Sequence, residues 1–380
     1  MALSIEVPAP ARRGLVVLAG LAVLAGMWAG LIRIGWLLPT TSPDLAALHG
    51  PLMVGGFLGV VISLERAVAL GQTWGFGAPA LAGLGSLVLL VGLPAAFSAA
   101  LLVAASALLM AIFVRIYRLR PEWSTVLLLL GAALWLVGNT LWLVGQPITS
   151  VVMWWIAFLV LTIVGDRLEL AQVLLPAGPR VVLLASAGLL VGGLGVSAAA
   201  FALGTPLVGV GLVAVALWLL RYDVARRNLG RVGLARFNGM ALLLGYMWLG
   251  AAGLLWLLGP ERAGGFSYDA MLHSVFLGFA FSMIFAHAPT IVPAITGFSV
   301  PFHGTFYVHL ALLHVSLALR IVGDLAMQPE ARRWGGLLNV IAVLLFAGVT
   351  AQSVRAVRPS ELSAERQREQ HQSRTEDGAR

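Results

Sequence analysis

Residues 14–37 read GLVVLAGLAVLAGMWAGLIRIGWL, with Arg33 as the one charged side chain. An α-helix rises ~1.5 Å per residue, so about 20 apolar residues in a row span the hydrocarbon of a bilayer. The stretch is too long, and too soon followed by others, for a cleaved signal peptide. Working outward, apolar runs of similar length recur at about 45–70, 76–96, 98–117, 124–145, 149–175, 180–203, 206–221, 238–259, 269–292, 303–323 and 335–356. In hydrocarbon every backbone N–H and C=O must be satisfied within its own segment, which leaves helices for spans of this kind. The sequence therefore predicts an all-α fold, a polytopic membrane bundle of about twelve transmembrane helices.

Composition agrees. The chain has 380 residues, 60% hydrophobic and 11% charged, with mean hydropathy +0.95. A soluble domain carries about 25% charged residues. Cysteine is absent, so disulfides, thiolate metal sites and cysteine nucleophiles are excluded. All 24 basic residues are arginine, and the net charge is +8. That charge sits in short loops between apolar runs, which marks membrane topology rather than nucleic-acid binding. With the N-terminus inside, fifteen arginines fall on inner loops, from Arg12 and Arg13 through Arg66 and the 221–236 loop to Arg355 and Arg358. Five, Arg33, Arg262, Arg320, Arg332 and Arg333, fall outside. The positive-inside rule then places both termini in the cytoplasm and the protein in the cell's inner (plasma) membrane. Residues 1–358 form the membrane domain, and the polar stretch 359–380, which cannot bury a core, reads as a disordered tail.

Ionisable side chains inside lipid are costly and mark function. Six of the seven histidines fall within or at the edge of the predicted spans: His49, His273, His287, His303, His309 and His314. By helical rise, His49 and His273 lie about 6 Å below the outer face and His314 about 12 Å below it. These three form an outer group; His287, His303 and His309 fall in the inner half. His273 and His287 are fourteen residues apart, within about 40° of one helix face. His303 and His314 also share a face, whereas His309 lies off it. All six are candidate metal ligands, and His49, His273, His287 and His314 are candidate cofactor ligands. Small residues flank them in HGPLMVGGFLG (49–59) and at Ser274, Gly278 and Ser282. They leave room for a flat macrocycle, although they equally let helices approach. Met53 follows His49 by four residues and Met283 precedes His287 by four, a mixture of imidazole and thioether that suits haem iron or Cu(I). Helix ends ISLERAVALG (62–71) and IVGDRLELAQ (163–172) carry Glu65, Arg66, Asp166, Arg167 and Glu169 near the inner face. The reading there is an ion-pair network, or Arg167 paired with a haem propionate.

The layout resembles the NnrS family, polytopic membrane proteins described as binding haem and copper and linked to nitric oxide metabolism. His49 through Phe57 and Gly59 resemble that family's His-containing second helix. VGDRLE falls where the family has a GGR-type segment, matched at Gly165 and Arg167. LLLGYMWLGAAG resembles its LH-x-x-Y-x-W helix at Tyr246 and Trp248, with Leu in place of the histidine. LHSVFLGFAFSMIFAHA resembles its LHALTVGA-type helix at Leu272, His273 and Gly278. AHAPTIVPAITG loosely echoes the GHTGR-type signature, with His287 as counterpart. A looser similarity links the chain to haem–copper oxidase subunit I, which also has twelve helices with histidines on helices 2 and 10. That family's adjacent histidine pair and His–Tyr motif are absent, so a full binuclear centre is not implied. The resemblance implies a haem-binding, and in part copper-binding, membrane protein acting in electron transfer or in nitric oxide and stress metabolism, served by a redox partner protein. Two alternatives follow from the residues: a proton-coupled transporter or channel using buried His and acidic relays, with Pro289 and Pro293 breaking helix 10, and a scaffold without chemistry.

Overall fold

The structure is a computed structural model that describes residues 7–40, 44–171, 175–259 and 264–377, with side chains described as far as Val354. Arg262, expected on the outer side, lies outside the described residues. Twelve helices are long and apolar enough to cross a membrane: α1 (Ala9–Arg33), α2 (Leu45–Leu70), α3 (Thr73–Leu90), α4 (Ala95–Leu119), α5 (Trp123–Leu143), α6 (Ile148–Ala171), α7 (Ala177–Ala199), α8 (Phe201–Tyr222), α9 (Gly233–Leu257), α10 (Gly265–Thr296), α11 (Phe306–Leu325) and α12, whose membrane portion is Pro329–Val354. Among the described residues there is no β-strand. Each helix overlaps one of the apolar runs, and the chain is an all-α polytopic bundle.

Contacts between helix ends fix the up-and-down order. At the end where α1 starts and the membrane portion of α12 stops, here called the terminal end, Arg13 of α1 donates to the Thr296 carbonyl of α10 (3.0 Å), and Arg66 of α2 pairs with Asp166 of α6 (2.7 Å). At the opposite, distal end, the Trp36 indole after α1 donates to the Arg333 carbonyl of α12 (3.3 Å). There, too, the Tyr268 hydroxyl of α10 donates to the Thr149 carbonyl of α6. Consecutive helices pack as neighbours, and α6 lies deepest, with 72% of its apolar window buried. Apolar side chains such as Val16, Leu217 and Val322 face outward instead, as lipid requires.

Two helices depart from regular α geometry at the same level. Leu52–Leu58 of α2 and Ser274–Phe281 of α10 are wound as π-helix. In the first, the Gly59 N–H reaches back five residues to the Val54 carbonyl. Such segments occur mostly as short bulges, frequently at functional sites. The small residues there do steric work. A Cβ on Gly56 would meet Ser86 Oγ at 2.2 Å, and one on Gly278 would meet Trp248 Cβ at 2.5 Å. Glycine thus lets α3 press onto α2, and α9 onto α10.

Pro289 and Pro293 do not break α10, contrary to the transporter expectation: the helix runs on to Thr296 and ends at Gly297, with φ +75°. A single proline-related loss of hydrogen bonds inside a packed span is tolerated when neighbouring helices hold the segment. The last helix continues as backbone to Asp377, into the polar stretch read as a tail. Glu, Gln and Arg are good helix formers, so a composition unable to form a core is still able to coil into a helix.

Candidate functional site: paired imidazoles in the distal half

His49 begins the α-wound part of α2, after the 3₁₀ turn Leu45–Leu48, and points at α1. Its Nδ1 lies 2.7 Å from the Gly26 carbonyl, which only accepts, so Nδ1 carries the proton. The lone pair is left on Nε2, which makes no hydrogen bond among the described residues. The ring fits because residue 30 is glycine: a Cβ there would lie 2.9 Å from Cε1 and Nδ1 of His49.

His273 ends the regular first turns of α10. Its Nδ1–H donates to the Asp269 carbonyl one turn back (2.8 Å), with the Asp269 carboxylate 3.3 Å from the same nitrogen. That carboxylate is held in turn by Arg320 of α11 (2.8 Å) and Arg332 of α12 (3.4 Å). Asp269 and Arg320 are both buried, at 9% and 7% exposure. A buried charge pair is tolerated only with such hydrogen bonding. The two imidazoles therefore share one tautomer, with Nδ1 engaged by backbone and Nε2 free.

The two rings lie close together across the helix gap. Their centres are 6.2 Å apart and their planes differ by 19°. Both line a cavity of about 370 Å³ between α1, α2, α6, α10, α11 and α12. Met27, Met53, Phe276 and Phe281 supply apolar wall; Arg33, Arg320 and Asn339 supply polar wall. Phe57 and Phe281, eight residues beyond each histidine, stack at 5.8 Å on the terminal side.

The other four histidines do not join this pair. His314 was expected in the outer group, but its Nδ1 accepts the Trp248 indole N–H (2.9 Å), and its buried Nε2 has no partner. With Nδ1 accepting, the proton sits on Nε2 and the ring is an anchor for α9. His309 is wholly buried and ringed edge-on by Phe237, Phe285 and Phe346, with neither nitrogen hydrogen-bonded. His303 is exposed in the loop before α11, which starts at Phe306 rather than at residue 303. His287 lies in the terminal half: its Nδ1–H donates to the Met283 carbonyl (2.8 Å), and Arg167 approaches Nε2 at 3.3 Å. Among the described residues, no group of three or more His, Asp or Glu side chains is arranged to hold a bare metal ion.

Arg167, the expected propionate partner, is also elsewhere. It is 3% exposed and grips Asp223 through two hydrogen bonds of 2.7 and 2.8 Å. Asp223 also accepts from the Ala225 N–H (2.7 Å), so the pair fastens the α8–α9 loop to α6. The expected ion-pair network is present in part: Arg66 joins Glu65 (3.2 Å) to Asp166, while Arg167 turns away to Asp223. Glu65, Arg66, Asp166, Arg167 and His287 line a second cavity of about 890 Å³ at the terminal end. The cationic wall of the distal cavity comes from Arg33 and Arg320 instead.

Sequence reasoning missed Asp269, although a carboxylate four residues before His273 on a helix was a legible signal. It also missed Asp324, whose partner Arg332 (2.9 Å) comes from the next helix and leaves no local pattern.

Fold and site together define a polytopic α-helical membrane protein with a close pair of intramembrane imidazoles. Residues 12–355 match the family described as Domain of unknown function (DUF8744), and the chain belongs to that family. No curated protein and no solved structure matches the chain significantly.

Proposed function

We propose that this chain is a haem-binding integral membrane protein that carries electrons, with His49 and His273 as the residues that would hold the haem. The supporting observation is the close pair: two imidazoles with Nδ1 fixed by backbone carbonyls, Nε2 free, centres 6.2 Å apart and planes 19° apart. With metal–imidazole nitrogen bonds of about 2.0–2.1 Å, two imidazoles with centres 6.2 Å apart would be able to hold one metal centre through Nε2. Two histidines are too few to enclose a bare ion, but a macrocycle brings the remaining ring nitrogens itself. The chemistry of the donor set therefore favours haem. The thioethers of Met27 and Met53 on the same wall make Cu(I) the lesser candidate.

The chain's own residues have defined tasks in this reading. Haem supplies a one-electron redox centre when bound. His49 and His273 would hold the haem through Nε2, and two protein ligands would suit electron transfer rather than substrate binding at iron. Asp269 orients His273 and raises its donor strength. Arg33 offers a cationic partner to a carboxylate side group at the distal rim, while Arg320 is held by Asp269. The resemblance to the NnrS family extends the proposal to nitric oxide or stress metabolism with a redox partner protein. The arginine bias extends it to an inner-membrane protein with both termini cytoplasmic.

Absorbance of the detergent-purified protein, as isolated and after haem addition, tests the reading. A Soret band is expected in the wild type and lost in His49→Ala and in His273→Ala. A wild-type protein without such a band in either condition ends the proposal.

A further inference from the structure

The second cavity is unused by the electron-transfer reading. It lies at the terminal end, bounded by α1, α2, α6, α10 and α12, and measures about 890 Å³, within the range of small-molecule sites. Two features say how a ligand would enter and what charge it would bear.

Outward-facing residues of α1 and α12 line the cavity. Val16 of α1 is 39% exposed and Ala351 of α12 is exposed, yet both line it. Gly20 of α1 lines it too, and a Cβ built there meets nothing within 4 Å. A ligand reaching this space through the α1–α12 gap comes from the membrane and must be largely apolar. Phe57, Ile62, Ile284 and Phe346 give it an apolar and aromatic interior.

The charge on the wall is unbalanced. Glu65, Asp166 and Glu169 contribute three carboxylates, against Arg66 and Arg167. Arg66 pairs with Asp166 and Glu65, Arg167 spends its two hydrogen bonds on Asp223, which is not part of the wall, and Arg13 sits over Phe298 at the far rim, so Glu169 has no ion-pair partner on the wall among the described residues. An anionic head group would meet repulsion here, whereas a cation would be attracted by charge and by aromatic faces.

We propose that the terminal-end cavity binds a lipophilic cation that enters laterally between α1 and α12. Its charge sits toward Glu65 and Asp166, and its apolar body lies against Phe57 and Phe346. This site rests on the walls of the second cavity and is independent of the His49–His273 pair.

Tetraphenylphosphonium is a suitable probe, measured by equilibrium dialysis of the purified full-length protein, with decylubiquinone and phosphatidylglycerol as neutral and anionic competitors. Saturable binding at about one per chain is expected. Gly20→Phe fills open space and should abolish binding while leaving thermal unfolding unchanged. Glu65→Gln leaves the Arg66–Asp166 pair in place and should weaken binding about three- to tenfold. His49→Ala should leave it unaltered. Binding that survives Gly20→Phe, or that is indifferent to Glu65→Gln, overturns the proposal. Displacement by decylubiquinone or phosphatidylglycerol with higher affinity than the probe also overturns it, assigning the cavity to a neutral or a lipid ligand.

Discussion

Gly30 and Asp269 do for the imidazole pair what the histidines alone do not. Gly30 leaves the space in which the His49 ring stands, since any Cβ would be 2.9 Å from two ring atoms. Gly30→Val should therefore push the ring off the Gly26 carbonyl at a cost of about 1–3 kcal/mol from overpacking. The check is a paired measurement, thermal unfolding together with haem titration: a small stability loss with a large loss of haem binding is expected. Asp269 acts on His273 from one turn away. Asp269→Asn should lower haem affinity about 10- to 100-fold, as the loss of outer partners of metal-bound histidines does. Titration of the purified variant with haem reads this directly, and unchanged affinity would remove Asp269 from the site. His49 and His273 were legible as candidates because imidazoles are rare in hydrocarbon. Their companion His314 was misread because its depth is similar, whereas the direction of its ring is set by Trp248 on another helix.

At the scale of elements, the twelve spans follow from length and hydropathy, but their interruptions do not. Both π-wound segments begin within three residues of a site histidine, and Phe57 and Phe281 within them stack across the gap. No periodicity of the sequence marked them, because an extra residue per turn is chosen by how α2 and α10 seat against their neighbours. The α6–loop connection is governed by charge instead. Arg167→Ala strands the Asp223 carboxylate, whose side chain is fully buried, and should cost about 3–5 kcal/mol. Replacing both residues together should cost less than the sum of the single changes, since no lone charge remains. Thermal unfolding of the three variants in one detergent provides the comparison.

For the whole molecule, twelve helices bring Ala9, where α1 starts, and Val354, where the membrane portion of α12 stops, to one end, and the distal cavity lies at the other. A fluorescent protein fused at the C-terminus should fold and fluoresce, and an alkaline phosphatase fused there should be inactive, if that end is cytoplasmic. Removing residues 359–380 should leave the melting temperature unchanged, because the membrane spans end before them. Sequence by itself determined that the chain lives in lipid, how many times it crosses and where the crossings fall. Each of those properties depends on the polarity of consecutive residues, which any window of the chain contains. Only the tertiary structure decided which two of six histidines meet, that Arg167 serves Asp223, and that a second cavity opens beside the terminal-end acids. Those outcomes depend on helix rotation and pairing, set by contacts such as Arg167–Asp223, 56 positions apart, and Arg167–His287, 120 positions apart, that no local stretch encodes.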